Sequence, residues 1–452
     1  IYNKEIFFYY INIYTMSTLS QYVGPVISNN AEEVSVSLQD PSNSRVAKNT
    51  IMPKDYDRQR LDNNQANSEK TFRFSRGGLM GGCVLKVVVD AFDASATENV
   101  SFERGWGYNL VRKFSYKMGN SREYFVDGIS NLLHVMDNAP TETQKLRILE
   151  LGGKPVANVP ANSLGGFTLY VVLTLPMSGP AGHCCNDKLP YNSELLEDDV
   201  ELKILFNDWT QVANGYKDLF AANKKFPSFS AEVIMEKYAF AMPTANIAPS
   251  IKAGGRNDYM FMFPNYLSQQ KIKPVDDGQG SYTLTANVSG WRQGGTTSLL
   301  LALEAEKDYS TYNSSDDPTQ SSQHHYYTAI ENLEVILDGS QIVQMKDDES
   351  RINSLLRGPE DHFLITTVDN GNYSPYTTVK LSQHAKKDIL GENFWESGTE
   401  LVSKTLQFNM KTPKPKEESG TPPEYYTLHI VQNISASVMS AGRQNEIVFV
   451  RR

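Results

Sequence analysis

The second half of this 452-residue chain repeats the order of features in the first, and that repetition constrains its fold more than anything else. Phe114-Ser115-Tyr116-Lys117-Met118-Gly119-Asn120 and Glu334-Val335-Ile336-Leu337-Asp338-Gly339-Ser340 each read as a strand running into a glycine-centred turn. A short amphipathic turn follows both, Gly128-Ile129-Ser130-Asn131-Leu132-Leu133 and Arg351-Ile352-Asn353-Ser354-Leu355-Leu356. Upstream, residues 82–88 correspond to 295–303; downstream, the alternating run 232–240 matches 426–434, and 253–263 matches 440–450. Convergent strand patterning could produce any one of these matches. Several in the same order favour a tandem duplication over two unrelated sandwiches. Two copies are too few for a solenoid, which needs about three or more stacked units. Two complete sandwiches side by side fit better, joined near residues 266–279, where Gln269-Gln270-Lys271-Ile272-Lys273-Pro274 reads as a short linker.

The local pattern is that of strands. Thr71-Phe72-Arg73-Phe74 alternates, breaks at Arg76-Gly77-Gly78, and resumes as a β-branched run over residues 83–92; bounding glycines and β-branched enrichment favour strand over helix. Further strands are expected at 110–116, 146–151, 167–175, 200–206 and 231–241, and helical spacing at 128–136 and 209–223. Strand after strand with turn signals between them argues for an all-β sandwich or barrel. Long loops at 176–182, 309–325 and 411–424 belong on the surface, where insertions cost little. The 24 Tyr and 20 Phe suit half-buried pleated surfaces.

Residues 16–70 are polar and read as an extended arm, with one alternating run at Val34-Ser35-Val36-Ser37-Leu38. The apolar run 6–14 is too short for a spanning helix and lacks a basic leader and a small-residue cleavage site. Met16 looks like an ordinary start. The residues before it are therefore expected to be an upstream extension or an arm that docks on a neighbour.

Charge and chemistry exclude more than they assign. The net charge is -9, and extensive phosphate neutralisation needs a basic surplus or stripe. The nearest candidates, His384-Ala385-Lys386-Lys387 and Lys411-Thr412-Pro413-Lys414-Pro415-Lys416, are each followed by acids, Asp388 and Glu417-Glu418. Direct, extensive nucleic-acid binding is not expected. Cys83, Cys184 and Cys185 are too few for a disulfide framework and fit a reducing compartment. The sequons at Asn99, Asn287, Asn313, Asn372 and Asn433 read as unused.

No nucleophile elbow or phosphate loop occurs, and the glycine-rich 76–82 leads into a strand rather than a helix. His183-Cys184-Cys185 near Asp187 lacks the second ligand pair of a structural zinc site. His324-His325 sits in a polar loop, and Glu194, Glu197, Asp198 and Asp199 read as a solvated acidic edge rather than a cation site. Paired carboxylates for glycoside hydrolysis stay open, because their separation is spatial. No catalytic, cofactor-binding or metal residue is named, and no cofactor is expected.

The assembled pattern resembles the double jelly-roll major capsid proteins of icosahedral DNA viruses, a group that includes nucleocytoplasmic large DNA viruses, virophages and polinton-like viruses. The resemblance covers about residues 65–452. It rests on the strand–turn–Leu-Leu elements at 116–133 and 336–356, the Leu149-Glu150-Leu151-Gly152-Gly153 turn, and Leu169-Tyr170-Val171-Val172-Leu173-Thr174-Leu175-Pro176 followed by a long loop and Val200-Glu201-Leu202-Lys203-Ile204. The aromatic-and-basic N-terminal stretch of many large-virus members is not recognisable around 71–76.

The resemblance implies an all-β fold of two tandem jelly-roll β-sandwiches with short helices and long loops: an arm over 1–65, a first jelly roll over 66–268 and a second over 269–452. It implies a structural, non-enzymatic role as a homotrimeric, pseudo-hexameric capsomer tiling an icosahedral shell, located in the virion and assembled inside the host cell. The implied partners are further copies of itself, neighbouring capsomers, minor capsid or cement and penton proteins, and an internal membrane layer. Two other classes remain open on the residues alone. One is a carbohydrate- or receptor-binding β-sandwich, as in a spike or minor capsid protein; the other is a β-sandwich hydrolase with dispersed acids.

Overall fold

The computed structural model describes most of residues 51–449; the longer stretches left out are 176–190, 213–226, 241–256, 307–326, 346–376, 382–398 and 415–423, besides 1–50. The first half contains β1 (Ile51–Asn64), β2 (Glu69–Phe74), β3 (Leu79–Val89), β4 (Asn99–Phe102), α1 (Trp106–Leu110), β5 (Val111–Met118) and β6 (Tyr124–Asp127). It continues through α2 (Gly128–Asp137), α3 (Glu142–Leu151), β7 (Val156–Pro160), β8 (Phe167–Leu173), β9 (Tyr191–Asn192), β10 (Val200–Phe206) and β11 (Phe229–Phe240). The second half holds β12 (Asn257–Ile272), β13 (Val275–Asp276), β14 (Ser281–Val288), β15 (Gly295–Glu306), β16 (Tyr327–Thr328), β17 (Asn332–Leu337) and β18 (Ser340–Met345). It ends with β19 (Thr377–Lys380), β20 (Thr399–Glu400), β21 (Leu406–Pro413), β22 (Tyr425–Ala441) and β23 (Gln444–Phe449).

The strands pair into the same two sheets twice. One sheet runs β1-β11-β3-β8 in the first half and β12-β22-β15 in the second, where β16, β19 and β20 share the far side of β15. The other runs β2-β10-β5-β6 and then β14-β21-β17-β18, with β13 added outside β14. The echo in the sequence is therefore an echo in topology: β3 answers β15, the hairpin β5–β6 answers β17–β18, and β11 answers β22. Asp338 and Gly339 close the β17–β18 hairpin with φ of 49° and 79°. Both are left-handed, as a two-residue type I′ turn requires, and Asp-Gly supplies that at little cost.

Each sandwich closes on inward-facing apolar residues. β10 buries Val200, Leu202, Ile204 and Phe206 and leaves the intervening side chains half-exposed. At roughly 1.5–3 kcal/mol for each fully buried large apolar side chain, this alternation fixes the register, since a one-residue slip would turn the whole set outward. Several of the largest aromatics of the first core pack against one another. Trp106 lies 4.5 Å from Phe102 and 5.4 Å from Phe167, and Phe206 lies 4.8 Å from Phe229, centroid to centroid.

Three expectations change. Residues 51–64, expected within the arm, form β1, which pairs with β11 from Ile51 to Asn64. Its charges mark a sheet edge, where they discourage further pairing. The stretch read as a linker, 269–274, carries the end of β12, and β12 runs through the expected boundary at 268 while pairing with β22. Residues 146–151, read as strand, are helical within α3. The straight-chain side chains Gln144, Lys145, Leu146, Arg147 and Glu150 lose little freedom in a helix. The helix expected over 209–223 and the loops 176–182 and 309–325 fall largely outside the described residues.

Candidate functional site

A set of long-range side-chain contacts lies where the two sandwiches meet. Helix α2 leaves β6 through Gly128, where a Cβ would stand 1.8 Å from the carbonyl oxygen of Val111. Only glycine lets the chain pass that close to β5. Asn131 then fastens the helix to β8: its Nδ2 donates to Val172 O and its Oδ1 accepts from Thr174 N, both at 2.8 Å. Leu132, Leu133, Val135 and Met136 are buried, and they share one apolar cluster with Phe263, Leu300, Ala302, Val431 and Ala436 of the second half. Leu299, Leu301, Leu303, Leu428 and Ile430, on the opposite face of the same sheet, fill the second core.

Polar groups fix the register of this contact. Asn433 Nδ2 donates to Ser298 Oγ at 3.0 Å, so its Oδ1 faces His134 and accepts from Nδ1 at 3.2 Å. His134 and Asn433 are 2% and 3% exposed. Nearby, His429 Nε2 donates to Glu304 and its Nδ1 accepts from the Tyr266 hydroxyl, both at 2.7 Å. Burial pushes the Tyr266 phenol up to about 12, and it raises the Asp127 carboxyl above the ordinary carboxylate range against the pull of Lys113. The Arg292 guanidinium sits 4.9 Å above the Phe263 ring; burial lowers its affinity for its proton, and Tyr124 and Tyr116 oppose that.

The outward face of β1-β11-β3-β8 is different. Tyr56 and Tyr170 are 45% and 37% exposed. Glu232 bridges Arg58 and Lys86, each at 3.6 Å. Val84, Val88 and Ile234 lie between these groups, half-buried.

A shallow depression of about 160 Å³ on the outer face of β2-β10-β5-β6 is lined by Glu69, Lys113, Ser115, Glu123, Phe125, Lys203 and Leu205. Small-molecule sites usually span roughly 300–1,000 Å³. The Ser115 hydroxyl and then Lys203 hold Glu123 below the usual carboxylate range, the reverse of what a general acid needs.

The sequence-stressed residues fall as follows. Asp199 Oδ1 accepts from Arg76 N at 3.1 Å, so part of the acidic edge pins the end of β2. Lys411 and Lys414 pair with Asp277 and Asp276 of the β13–β14 turn, which folds the basic stretch back on its own sandwich. Asn433, one of the sequons, is buried in the seam. His183, Cys184, Cys185, Asp187, Glu194, Glu197, His324, His325, Lys386 and Lys387 lie outside the described residues, as does the Leu-Leu turn at 351–356. Among the described residues, no group of three or more His, Cys, Asp or Glu could hold a metal ion, and no helix is long and apolar enough to cross a membrane.

A scan against protein-family models and a search of the curated proteins give no match. Solved structures do match. The PBCV-1 protein VP54, from a crystal structure fitted into a reconstruction of the virophage Sputnik, is 10% identical with a TM-score of 0.59, over 88% of this chain and 98% of that one. A quasi-atomic model of the PBCV-1 virus capsid gives 11% identity and a TM-score of 0.59 over the same shares. The Sputnik virophage structure gives 8% identity and a TM-score of 0.52, over 88% of this chain and 89% of that one. The chain thus has the all-β double jelly-roll fold of these viral capsid proteins.

Proposed function

We propose that this chain is a structural major capsid subunit, three copies of which form a six-cornered, pseudo-hexameric capsomer that tiles an icosahedral shell in the virion. One observation carries the reading: the two sandwiches share a strand order, yet among the described residues one outward sheet face is covered by α2 within the chain and its counterpart is left open. A contact from the first sandwich to the second is heterologous. Repeated between copies it generates a ring if the rotation closes. Three chains would supply six similar sandwiches for such a ring, and the likeness in fold to viral capsid proteins supports a shell-building role.

On this reading the partners are further copies, neighbouring capsomers, minor capsid or cement proteins, penton proteins and an internal membrane layer. No residue needs to be catalytic. The folding back of Lys411 and Lys414 onto acids fits a subunit that does not coat nucleic acid. Light scattering on the purified native protein, with negative-stain imaging of the same fraction, tests it. A stable trimer with a six-cornered outline is expected. A species that stays monomeric at every concentration and salt level, with no ring in the images, would move the assignment to a binding module.

A further inference from the structure

We infer that the open face of β1-β11-β3-β8 is the docking surface for a second copy of this chain, and that it docks through a charged, hydrated contact unlike the apolar seam inside one chain. This rests on the assembly reading above and adds the chemistry of the contact. The occupant is a second copy because the counterpart face, on β12-β22-β15, is already taken by the first sandwich of the same chain; the duplicated topology leaves one such face over in every subunit.

The two faces differ in kind. On the covered one, Val431, Leu300 and Ala302 meet the apolar side of α2, and the buried polar groups His134, Asn433 and Ser298 are bonded to one another. On the open one, cross-strand partners read Arg58, Ile234, Val84 and Val172 in one row, and Arg60, Glu232, Lys86 and Tyr170 in the next. Glu232 joins the rows to Arg58 and Lys86, and the Arg58 guanidinium lies 5.8 Å from the ring centroid of Tyr56. An apolar strip flanked by Tyr and Arg suits a protein partner, since Tyr and Arg are enriched at protein interfaces. The alternating charges around it set register and weaken with salt, because screening contracts from about 8 Å at physiological ionic strength to about 3 Å at 1 M.

Two measurements on the full chain test this. The oligomer is weighed by light scattering from 0.05 to 1 M NaCl, with circular dichroism on each sample. A charge-swapped double variant, Lys86→Glu with Glu232→Lys, is weighed at low salt; it keeps the net charge and the 86–232 ion pair, gives up the Arg58–Glu232 bridge, and inverts the pattern offered to a neighbour. The inference expects the wild-type trimer to fall to folded monomer as salt rises, and the swapped variant to be folded and monomeric throughout. A trimer that survives 1 M NaCl and tolerates the swap would overturn the inference and leave the capsomer reading intact. A wild-type monomer under all conditions would overturn both. Should the swapped variant misfold, the wild-type salt series decides alone.

Discussion

The sheet β12-β22-β15 and its counterpart β1-β11-β3 share strand order and antiparallel pairing, but their burial patterns differ. In β15, Leu299, Leu300, Leu301, Ala302 and Leu303 are all buried, because odd positions enter one core and even positions meet α2. In β3, buried Cys83, Leu85, Val87 and Val89 alternate with half-exposed Val84, Lys86 and Val88. A strand covered on both faces reads as a continuous apolar run, and one covered on a single face reads as an alternation. Duplicating a fold therefore copies its hydrogen-bond ladder without copying its burial. What each sheet rests against is written in the side chains on the face that the ladder does not use.

The comparison breaks most severely at Gly128, the entry to the helix that covers the second sheet. A Cβ there would collide with strand backbone at Val111 O, and backbone cannot swing aside as a side-chain tip can. Gly128→Ala is expected to cost on the order of 3 kcal/mol or more, read from urea unfolding, with α2 displaced. Gly165, where an added Cβ meets nothing within 4 Å, serves as the control: Gly165→Ala is expected to shift stability by less than about 1 kcal/mol.

Next come the two outward faces themselves. Leu300→Ala is expected to cost about 3 kcal/mol, the usual range for a buried Leu truncated in a packed core, whereas Val84→Ala on the half-exposed face should cost no more than about 1 kcal/mol. Comparable losses at both positions in monomeric protein would mean that the first sheet is covered as well. Asn433→Ala strips partners from His134 and Ser298 in the seam. Buried donors and acceptors left unpaired cost about 1–3 kcal/mol, so its unfolding midpoint should fall clearly below that of an exposed Asn287→Ala control.

Much of the shared ladder was legible in the sequence, whereas the difference in burial was not read from it. The run 295–303, the alternation of 200–206 and the two strand–turn elements placed β15, β10, β5–β6 and β17–β18, because local period and turn chemistry decide those features. Strand β1 was missed for a physical reason. As an edge it turns Tyr56, Arg58 and Arg60 to solvent and offers little apolar period, so its strand character comes from the ladder with β11, 165–189 residues away in sequence. The seam was equally hidden. His134 and Asn433 stand 299 residues apart, and nothing local marks either as the other's partner. The same holds for Glu304, His429 and Tyr266, which meet only once three strands are side by side.

The smallest expected effect separates the seam from the exposed turn by pH. Burial raises the Asp127 carboxyl, so between its unfolded value, near 3.9, and its folded value the native state holds the extra proton. Stability from this group therefore falls as pH rises through that window, and ionised Asp127 is a cost at neutral pH. Asp277 at the β13–β14 turn behaves oppositely. The N–H of Gln279, then that of Ser281 and Lys411, hold its carboxyl below the ordinary range, so what it contributes is complete above the unfolded value and is lost as pH falls toward the folded one. Asp127→Asn should raise the melting temperature slightly at pH 7, with the gain vanishing on acidification through the carboxylate range. Asp277→Asn should lower it slightly at pH 7, and that loss should vanish in acid. Thermal unfolding of the three proteins from pH 3 to 7 checks both signs. Two difference curves of the same sign would mean that Asp127 is as well solvated as the turn, and that the seam between the sandwiches is open to water there.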